Sequence, residues 1–570
     1  MDFEYMQMLV KGDAGRMIRR RFFSLYVGGL LIYLPLLLQR LTNDMDGMWD
    51  QDDHVTGAAE LRMGRWFWPI LDKLRGNVSL DPLPAVAAIA LFAAGILVVL
   101  ALFGLRGESR RERLCTWGIG MLILASPTVL CQLSYSHMAI NDAFSFLLAV
   151  LAVWMVREPL QNAGMEQEPM QGDGTLRKPL ENGSGAGKER VFYGGRYTSV
   201  LASALLTAVM MGCYQATMGV LCVVALFYFL QRLERGTLKR ALSFVGRMLA
   251  SVVLGAVLYE AFLYACLAVT GETLSDYNGG NAVTIGGMLR GLPENLRHTY
   301  TAFVFYFGGD GYHFNLLQGY RWFLVVYLLP AVILAQLVWK LWRDKGAASV
   351  MLAVLAIVWI PIFANSFFLL VYSDTMMQMT MGMAMVLPLT LCLGVSDGQK
   401  LLCWCRKADK GQGRFIRCEV AGGGIAIFLL LYGMLGQTAT DQYAMYVGRR
   451  FTTTLAEQAL NQFTAAGADY TENVVLVYGT PKDSPLFLAT DLYNRANSYA
   501  QYGSWAPGTE GNRLCWGHFL EQQLRVKVNY AEGDTLETIY NSAEVAAMPV
   551  YPAAGSTANV WGVTVVKVSE

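Results

Sequence analysis

The chain has 570 residues, of which 54% are hydrophobic and only 16% are charged, and its mean hydropathy is +0.35. The formal net charge of +1 indicates neither a nucleic-acid partner nor an acidic substrate. This composition excludes an ordinary soluble enzyme and is typical of an integral membrane protein.

Apolar segments long enough to cross a bilayer, roughly 20 residues each, recur along the first three quarters of the chain. We predict about eleven membrane spans, near residues 22–39, 83–104, 114–133, 143–156, 197–213, 216–232, 248–270, 322–340, 347–371, 376–396 and 420–437. The fifth and sixth spans form one apolar run, which we divide at Cys213, Tyr214 and Gln215. The first span has no cleavage site after it, so we interpret it as a signal anchor.

Most of the 45 Lys and Arg residues fall in alternate connecting segments, among them residues 16–21 and 157–196. The positive-inside rule therefore predicts a cytoplasmic N-terminus. It also predicts that the aspartate-rich stretch after the first span lies outside the membrane, as does everything after residue 438.

The tail differs in character from the spans. The helical stretch TTLAEQALNQFTAA is followed by the strand-like NVVLVYG and NVWGVTVVKV, which indicates a small α/β unit. We therefore predict two domains. Residues 1–437 form the polytopic membrane domain, with outer loops at 40–82 and 271–320, and residues 438–570 form an extracytoplasmic α/β domain.

Five carboxylates crowd the stretch LTNDMDGMWDQDD directly after the first span: Asp44, Asp46, Asp50, Asp52 and Asp53. The simplest interpretation is a solvated loop. A second is a divalent-cation site, because D-x-D places two oxygen ligands close together, although the stretch does not fit the calcium-loop pattern. A third is general base catalysis, in which an ionised Asp takes a proton from a hydroxyl acceptor.

The following stretch, AAELRMGRWFWPILDKLRG, predicts an amphipathic helix. Phe67, Ile70, Leu71 and Leu74 share one face of that helix. Trp66 and Trp68 favour the membrane interface. A cleft beside such a helix would admit a lipid-linked substrate from the side.

Polar side chains at two more outer span ends fall at the same level. LSYSHMAINDAFSF contributes Tyr135, His137, Asn141 and Asp142, and MMGCYQATMG contributes Tyr214 and Gln215. A buried Asp at a span end is usually paired or functional. For His137, Tyr214 and Gln215, helix capping or interhelical hydrogen bonding is the alternative.

Taken in order, these elements resemble the GtrII-type family of bacterial membrane glucosyltransferases. The matching elements are the acidic stretch with Gly64, Arg65 and Trp66, then Ser126-Pro127 with Tyr135 and Asp142, and finally Tyr214-Gln215. The resemblance covers roughly the first 230 residues, and the later spans agree in hydropathy only.

The resemblance implies a GT-C-like architecture in the bacterial cytoplasmic membrane. The implied reaction transfers a hexose, typically glucose, from a polyprenyl-phosphate donor to a cell-envelope glycan such as O-antigen or teichoic acid at the outer face. Relatives are often accompanied by an enzyme that makes the lipid-linked sugar and by a small flippase.

The resemblance also implies roles for individual residues. Asp46 is the first choice for the catalytic base, with Asp44 next and Asp52 or Asp53 as alternatives in the crowded stretch. Asp142 would be a second catalytic carboxylate. Arg65 would bind the donor phosphate, with membrane anchoring as its alternative. The remaining predicted substrate contacts are Trp66, Tyr135, His137, Tyr214 and Gln215.

Two functions from other classes remain open at this point. A polytopic transporter or cation pathway would use outward carboxylates, but the clearest mid-span charge is Glu260, which has no second intramembrane partner in the sequence. A non-catalytic envelope glycan assembly protein would use the outer tail to bind glycan.

Overall fold

The computed structural model of the chain describes residues 13–43, 58–77, 79, 81–105, 110–157, 196–275, 285–308, 315–317, 327–369, 376–404, 412–505 and 508–570. All five aspartates of the acidic stretch lie outside the described residues, as does most of the segment 157–196.

Helices dominate the chain up to residue 465. In chain order they are α1 (Asp13–Ile32), α2 (Leu34–Gln39), α3 (Ala58–Arg62), α4 (Trp68–Leu74), α5 (Leu83–Leu102), α6 (Arg110–Leu124), α7 (Pro127–Ser134), α8 (Ala139–Val156), α9 (Arg196–Cys213), α10 (Met218–Arg235), α11 (Leu238–Thr270), α12 (Ile285–Gly308), α13 (Leu328–Asp344), α14 (Ala347–Val358), α15 (Ile360–Ala364), α16 (Met381–Ala384), α17 (Val386–Trp404) and α18 (Gln412–Ala465). Short 3-10 turns occupy Gln215–Thr217, Ser366–Leu369 and Met377–Thr380.

The first apolar segment forms α1 and α2, which run antiparallel to α5. At one end of the pair, Arg21 Nη1 donates a 3.1 Å hydrogen bond to the Leu105 carbonyl oxygen. At the other end, Arg40 Nε lies 3.5 Å from Asp81 Oδ2. These two contacts mark opposite ends of the helical bundle.

The structure contradicts the single amphipathic helix predicted after the acidic stretch. Two short helices, α3 and α4, take its place, because Gly64 between them has a φ of +83°, in the left-handed region that ends a helix. Trp66 and Trp68 are only 7% and 1% exposed, so both lie inside the protein rather than at its surface. Ile70 and Leu74 of α4 are exposed, as an apolar face toward lipid requires.

The third predicted span is a bent pair, in which α6 and α7 meet at 48°. The Ser126 side chain accepts a 3.3 Å hydrogen bond from the Thr128 backbone N–H and so caps α7. A bend frees backbone carbonyls that need partners inside a membrane. Thr438 Oγ1 donates a 2.8 Å hydrogen bond to one of them, the Ala125 oxygen.

The predicted division between the fifth and sixth spans is confirmed. α9 ends at Cys213, and the Gln215–Thr217 turn leads into α10. The next helix, α11, is 33 residues long and exposes a row of apolar side chains that includes Leu249, Val253 and Val257. Such a row fits contact with lipid.

Six described helices are long and apolar enough to cross a membrane, or seven if the bent α6–α7 pair counts as one span. Residues 197–213 and 347–358 form shorter apolar helices. The mostly helical fold with several candidate membrane spans is therefore confirmed, whereas the number of eleven spans and the GT-C-like architecture remain predictions.

α18 continues for 54 residues and passes through the predicted domain boundary at 437/438 without a break. The residues after it, 466–570, are called the C-terminal unit. This unit contains the strands β1 (Val475–Tyr478), β2 (Thr557–Val560) and β3 (Val563–Lys567). The short α-helices of this unit are α19 (Asp491–Asn494), α20 (Thr509–Asn512), α21 (Gly533–Tyr540) and α22 (Ala543–Ala547), and π-helical turns occupy Arg513–Gly517 and Phe519–Gln523.

These strands form one small sheet in the order β1-β3-β2, with β1 parallel and β2 antiparallel to β3. The strand-like patterns of the tail are thus confirmed. Leu455 and Phe463 of α18 pack with Val477, Trp516 and Val565 in a hydrophobic core of their own. The division into two domains stays a prediction.

A buried carboxylate joins α18 to the C-terminal unit. Asp441 accepts hydrogen bonds from Gln437 Nε2 at 2.9 Å, from the Asn497 backbone N–H at 2.9 Å and from Asn497 Nδ2 at 2.8 Å. The Tyr499 hydroxyl donates to Asp441 at 2.9 Å and lies 3.0 Å from the Pro127 carbonyl oxygen. Asp441 therefore connects α18, the C-terminal unit and the bend before α7.

Candidate active site

The turn between α3 and α4 is fixed by three hydrogen bonds to α9, to the turn that follows α9 and to α11. Gln215 Nε2 donates to the Met63 carbonyl oxygen at 2.9 Å, and the Tyr259 hydroxyl donates to the Gly64 carbonyl oxygen at 3.0 Å. The Phe67 backbone N–H donates to the Gly212 carbonyl oxygen at 3.0 Å. These bonds join residues that are distant in the sequence and hold Arg65 in one place.

Gly64 is required in this turn for two reasons. Its φ of +83° disfavours any residue with a Cβ, and a Cβ here would lie 2.8 Å from Gln215 Nε2 and closer still to the Tyr259 hydroxyl. The glycine before Arg65 therefore allows the backbone conformation that positions the Arg65 side chain.

The Arg65 guanidinium lies between two aromatic rings. Its Cζ atom is 5.0 Å from the centroid of the Trp68 ring and 5.5 Å from that of Tyr214, within the range of cation–π attraction. Arg65 Nε is buried and has no hydrogen-bond partner among the described residues. The guanidinium also interacts electrostatically with the Asp142 carboxyl.

Asp142 and Asn141 lie in the first turn of α8 and are each 1% exposed. Both carboxylate oxygens of Asp142 and both side-chain amide atoms of Asn141 are buried without a hydrogen-bond partner among the described residues. Leaving such groups unpaired costs roughly 1–3 kcal/mol each, and more for a charge. The Asp142 carboxylate and the Asn141 oxygen are therefore available to accept hydrogen bonds, and the Asn141 amide N–H₂ to donate them, in contacts with groups other than the described neighbours.

Further polar atoms near the start of α8 and in α4 share this property. Ser136 Oγ, in the turn before α8, and Trp68 Nε1 are buried without a hydrogen-bond partner among the described residues. The His137 ring stacks on Trp68 with centroids 6.2 Å apart, and the Tyr135 ring meets His137 edge-on at 6.5 Å. Donors, acceptors and aromatic faces of this kind suit a sugar.

An ion pair that was not predicted from the sequence lies beside these rings. Asp72 is fully buried, and its Oδ1 lies 2.6 Å from Arg75 Nη2, which also donates to the His137 carbonyl oxygen at 3.3 Å. Arg75 Nε and Nη1 are buried without a hydrogen-bond partner among the described residues. Burial lowers the pKa of Arg75, and the Asp72 carboxylate opposes that shift. The i, i+3 spacing between Asp72 on α4 and Arg75 directly after it was the available signal.

The structure brings most of the described candidates together. Arg65, Tyr135, His137, Asp142 and Tyr214 are connected by the ring contacts and electrostatic interaction given above. We define the site cluster as these five residues with Trp68, Arg75, Ser136 and Asn141.

Two residues predicted to contact the substrate, Gln215 and Trp66, are not part of the site cluster. The Gln215 amide binds the Met63 backbone and the Tyr259 hydroxyl, the latter at 3.2 Å, so it supports the turn that carries Arg65. Trp66 packs on Gly212 and on the Phe262 ring, 5.1 Å away between centroids, in a small apolar cluster.

The residue that precedes the aspartates of the acidic stretch lies beside the site cluster. Asp44, Asp46, Asp52 and Asp53 themselves lie outside the described residues. Asn43, immediately before them, donates its backbone N–H to the Ser134 carbonyl oxygen at 3.2 Å. Within the described part of the chain, no group of three or more His, Cys, Asp or Glu side chains could hold a metal ion.

A family profile described as Glucosyl transferase GtrII matches residues 42–389, more than half of the chain. The chain belongs to the GtrII glucosyl transferase family. The match contains the acidic stretch and every residue of the site cluster, and it ends within α17. The C-terminal unit lies outside the part that identifies a GtrII protein. Neither a curated protein nor a solved structure matches the chain significantly.

Proposed function

We propose that this GtrII-family protein transfers a hexosyl group, glucosyl by family, from a polyprenyl-phosphate-linked donor to a cell-envelope glycan. The reaction takes place at the outer face of the bacterial cytoplasmic membrane. The observation that carries the proposal is the buried Asp142–Asn141 pair. Its side-chain atoms have no hydrogen-bond partner among the described residues, and it faces the charge of Arg65.

The donor class follows from the chemistry beside that pair. Arg65 Nε and two Arg75 nitrogens are buried donors without a hydrogen-bond partner among the described residues, and guanidinium donors match phosphate oxygens in pairs. A polyprenyl chain would extend along exposed apolar helix surfaces such as that of α11. Since the sugar phosphate is already activated, the protein needs to orient the two substrates and stabilise the leaving phosphate.

The acceptor side of the reaction is assigned to carboxylates. Asp46, or else Asp44, takes the proton from the acceptor hydroxyl as its oxygen attacks the anomeric carbon, with Asp52 and Asp53 as alternatives. Asp142 orients the acceptor or stabilises positive character in the sugar ring as the phosphate departs. Tyr214, Tyr135 and His137 contribute stacking and hydrogen bonds to the sugar.

The outer-face assignment rests on charge. The basic residues 16–21 lie in the first half of α1, and the site cluster lies beside Arg40 and Asn43 at the opposite end of the α1–α2 pair. With the basic end inside, the cluster and the C-terminal unit are outside. The Glu260 side chain is exposed on α11 rather than enclosed between helices, so it gives no support to a cation pathway.

The proposal is tested by transfer assays with the purified full chain in proteoliposomes. Polyprenyl-phosphate glucose and a nucleotide-linked glucose are offered in parallel with a cell-envelope glycan. We expect transfer from the lipid-linked donor only, and a loss of about 10- to 100-fold for Arg65→Gln. Glucose transfer from the nucleotide donor alone, or dissipation of an ion gradient without sugar transfer, would overturn the proposal.

A further inference from the structure

A basic cavity lies at the end of the helical bundle opposite the site cluster. It is formed by α1, α5 and α6 near the Arg21–Leu105 hydrogen bond. The Arg40–Asp81 contact and the Asn43–Ser134 hydrogen bond mark the other end of the same helices, where the site cluster lies. The cavity is therefore separate from the proposed transfer site and does not depend on the proposed function.

The cavity has a volume of about 940 Å³, within the range of ligand pockets. Five of the residues that line it are arginines: Arg16, Arg20, Arg21, Arg110 and Arg113. Its apolar lining includes Leu25, Leu97, Leu100 and Trp117. Arg16, Arg20 and Trp117 also line a second cavity of about 730 Å³ along α1.

The positive charge in this cavity is not balanced by its own lining. Among the described residues that line the cavity none is acidic, and the nearby Glu112 carboxylate interacts with Arg21. Arg21 Nε and Nη2 are buried without a hydrogen-bond partner among the described residues. Arg21 is a half-buried guanidinium with donors that have no described partner, and four other arginines line the same cavity. This arrangement favours binding of an anion with several oxygen atoms.

The arrangement of charge and apolar surface selects the kind of anion. The arginines come from the first three turns of α1 and the first turn of α6, whereas Leu25 lies one turn further along α1 and Leu97 and Leu100 lie on α5. A ligand that satisfies both parts is charged at one end and apolar at the other. Basic pockets between membrane helices on the cytoplasmic side bind anionic lipid headgroups in this way.

We propose that this cavity binds one anionic glycerophospholipid, with its phosphate held by the arginines and its acyl chains against Leu25, Leu97 and Leu100. Arg21 supplies the buried hydrogen-bond donors. Arg20 on α1 and Arg113 on α6 contact the phosphate from either side. Free phosphate shares the headgroup chemistry but lacks the apolar part.

The test uses the full chain purified in detergent and stripped of lipid. Phosphatidylglycerol, phosphatidylcholine or inorganic phosphate is added, and the thermal unfolding temperature and the number of retained lipids by native mass spectrometry are measured. We expect phosphatidylglycerol to raise the unfolding temperature and to remain bound, and phosphatidylcholine to do neither. An equal shift from inorganic phosphate would overturn the lipid assignment.

The cavity variant is Arg20→Gln with Arg113→Gln, and the matched control is Lys239→Gln with Arg240→Gln. The control residues are exposed near the start of α11, and the preceding α10 reaches the same end of the bundle, where Gln231 Nε2 donates to the Phe103 carbonyl oxygen at 3.0 Å. We expect the cavity variant to weaken phosphatidylglycerol binding by about tenfold or more, and the control to leave it unchanged. Equal weakening in both variants would show a general surface-charge effect and overturn the proposal.

Discussion

The Arg65 guanidinium lies 5.5 Å from the centroid of the Tyr214 ring, although the two residues belong to segments far apart in the sequence. This contact places the planar guanidinium against an aromatic ring, near Asp142. Lys keeps the charge but loses both the stacking and the paired donors. We expect Arg65→Lys to raise the KM for the lipid-linked donor and to lower kcat/KM by about tenfold or more.

The matched control for Arg65→Lys is Arg62→Lys. Arg62 is exposed and forms a 2.7 Å ion pair with Glu272, outside the site cluster. Initial rates against donor concentration distinguish the two variants. If Arg65→Lys behaved like Arg62→Lys, Arg65 would be a membrane anchor rather than a phosphate ligand.

The turn that carries Arg65 offers a second test through two glycines. Gly64 and Gly76 have φ values of +83° and +77°, but only Gly64 lacks room for a Cβ. Alanine at either position costs roughly 1–2 kcal/mol for the left-handed backbone. At Gly64 the crowding adds about 1–3 kcal/mol and displaces Gln215 or Tyr259.

We therefore expect Gly64→Ala to lower transfer activity far more than Gly76→Ala, because only Gly64→Ala moves Arg65. Transfer rate and thermal unfolding are measured on both variants. Equal activity losses would mean that the position of this turn does not control the reaction.

Asp441 provides a prediction about the C-terminal unit. All of its described partners are donors, so Asp441→Asn brings an amide N–H₂ against Asn497 or Tyr499. We expect a loss of about 1–3 kcal/mol in stability and faster proteolytic release of the C-terminal unit. The control is Asp469→Asn, because Asp469 is exposed and its carboxylate accepts hydrogen bonds only from Thr471 within the described residues. A protease pattern identical to that of the control would contradict this role.

The acidic stretch is tested by four single substitutions, namely Asp44→Asn, Asp46→Asn, Asp52→Asn and Asp53→Asn. Removing a general base lowers the rate by about 10²- to 10⁴-fold, whereas neutralising a solvated carboxylate has little effect. We expect one variant, Asp46→Asn first, to show the large loss in transfer rate. Full activity in all four would favour a solvated loop and place the base elsewhere.

Local patterns in the sequence were sufficient for several parts of the fold. The apolar runs predicted most of the helices, and the break at Tyr214 followed from polar residues in the middle of one run. The alternation in NVWGVTVVKV predicted a strand-like stretch, which the structure divides into the end of β2, a turn at Trp561 and Gly562 with positive φ, and β3. In each case the pattern depends on neighbours in the chain.

Other features depend on tertiary partners that no local pattern reveals. The turn at Gly64 is held by hydrogen bonds from Tyr259 and Gln215, which are distant in the sequence. The local pattern alone therefore predicts one amphipathic helix. The burial of Asp72 depends on Arg75 and the turn before α8. The role of Asp441 depends on its hydrogen bonds with Asn497 and Tyr499, which are distant in the sequence.

The most direct test of the account is the transfer rate of Asp142→Asn at saturating donor and acceptor, measured together with its thermal unfolding temperature. Asn has nearly the same shape but carries no charge, so a buried position without a hydrogen-bond partner tolerates it at least as well. We predict a kcat lower by about 10²-fold or more and an unfolding temperature that is unchanged or raised. A variant that retains full transfer activity, or one that loses activity only because it unfolds, would contradict the assignment of Asp142 to the reaction.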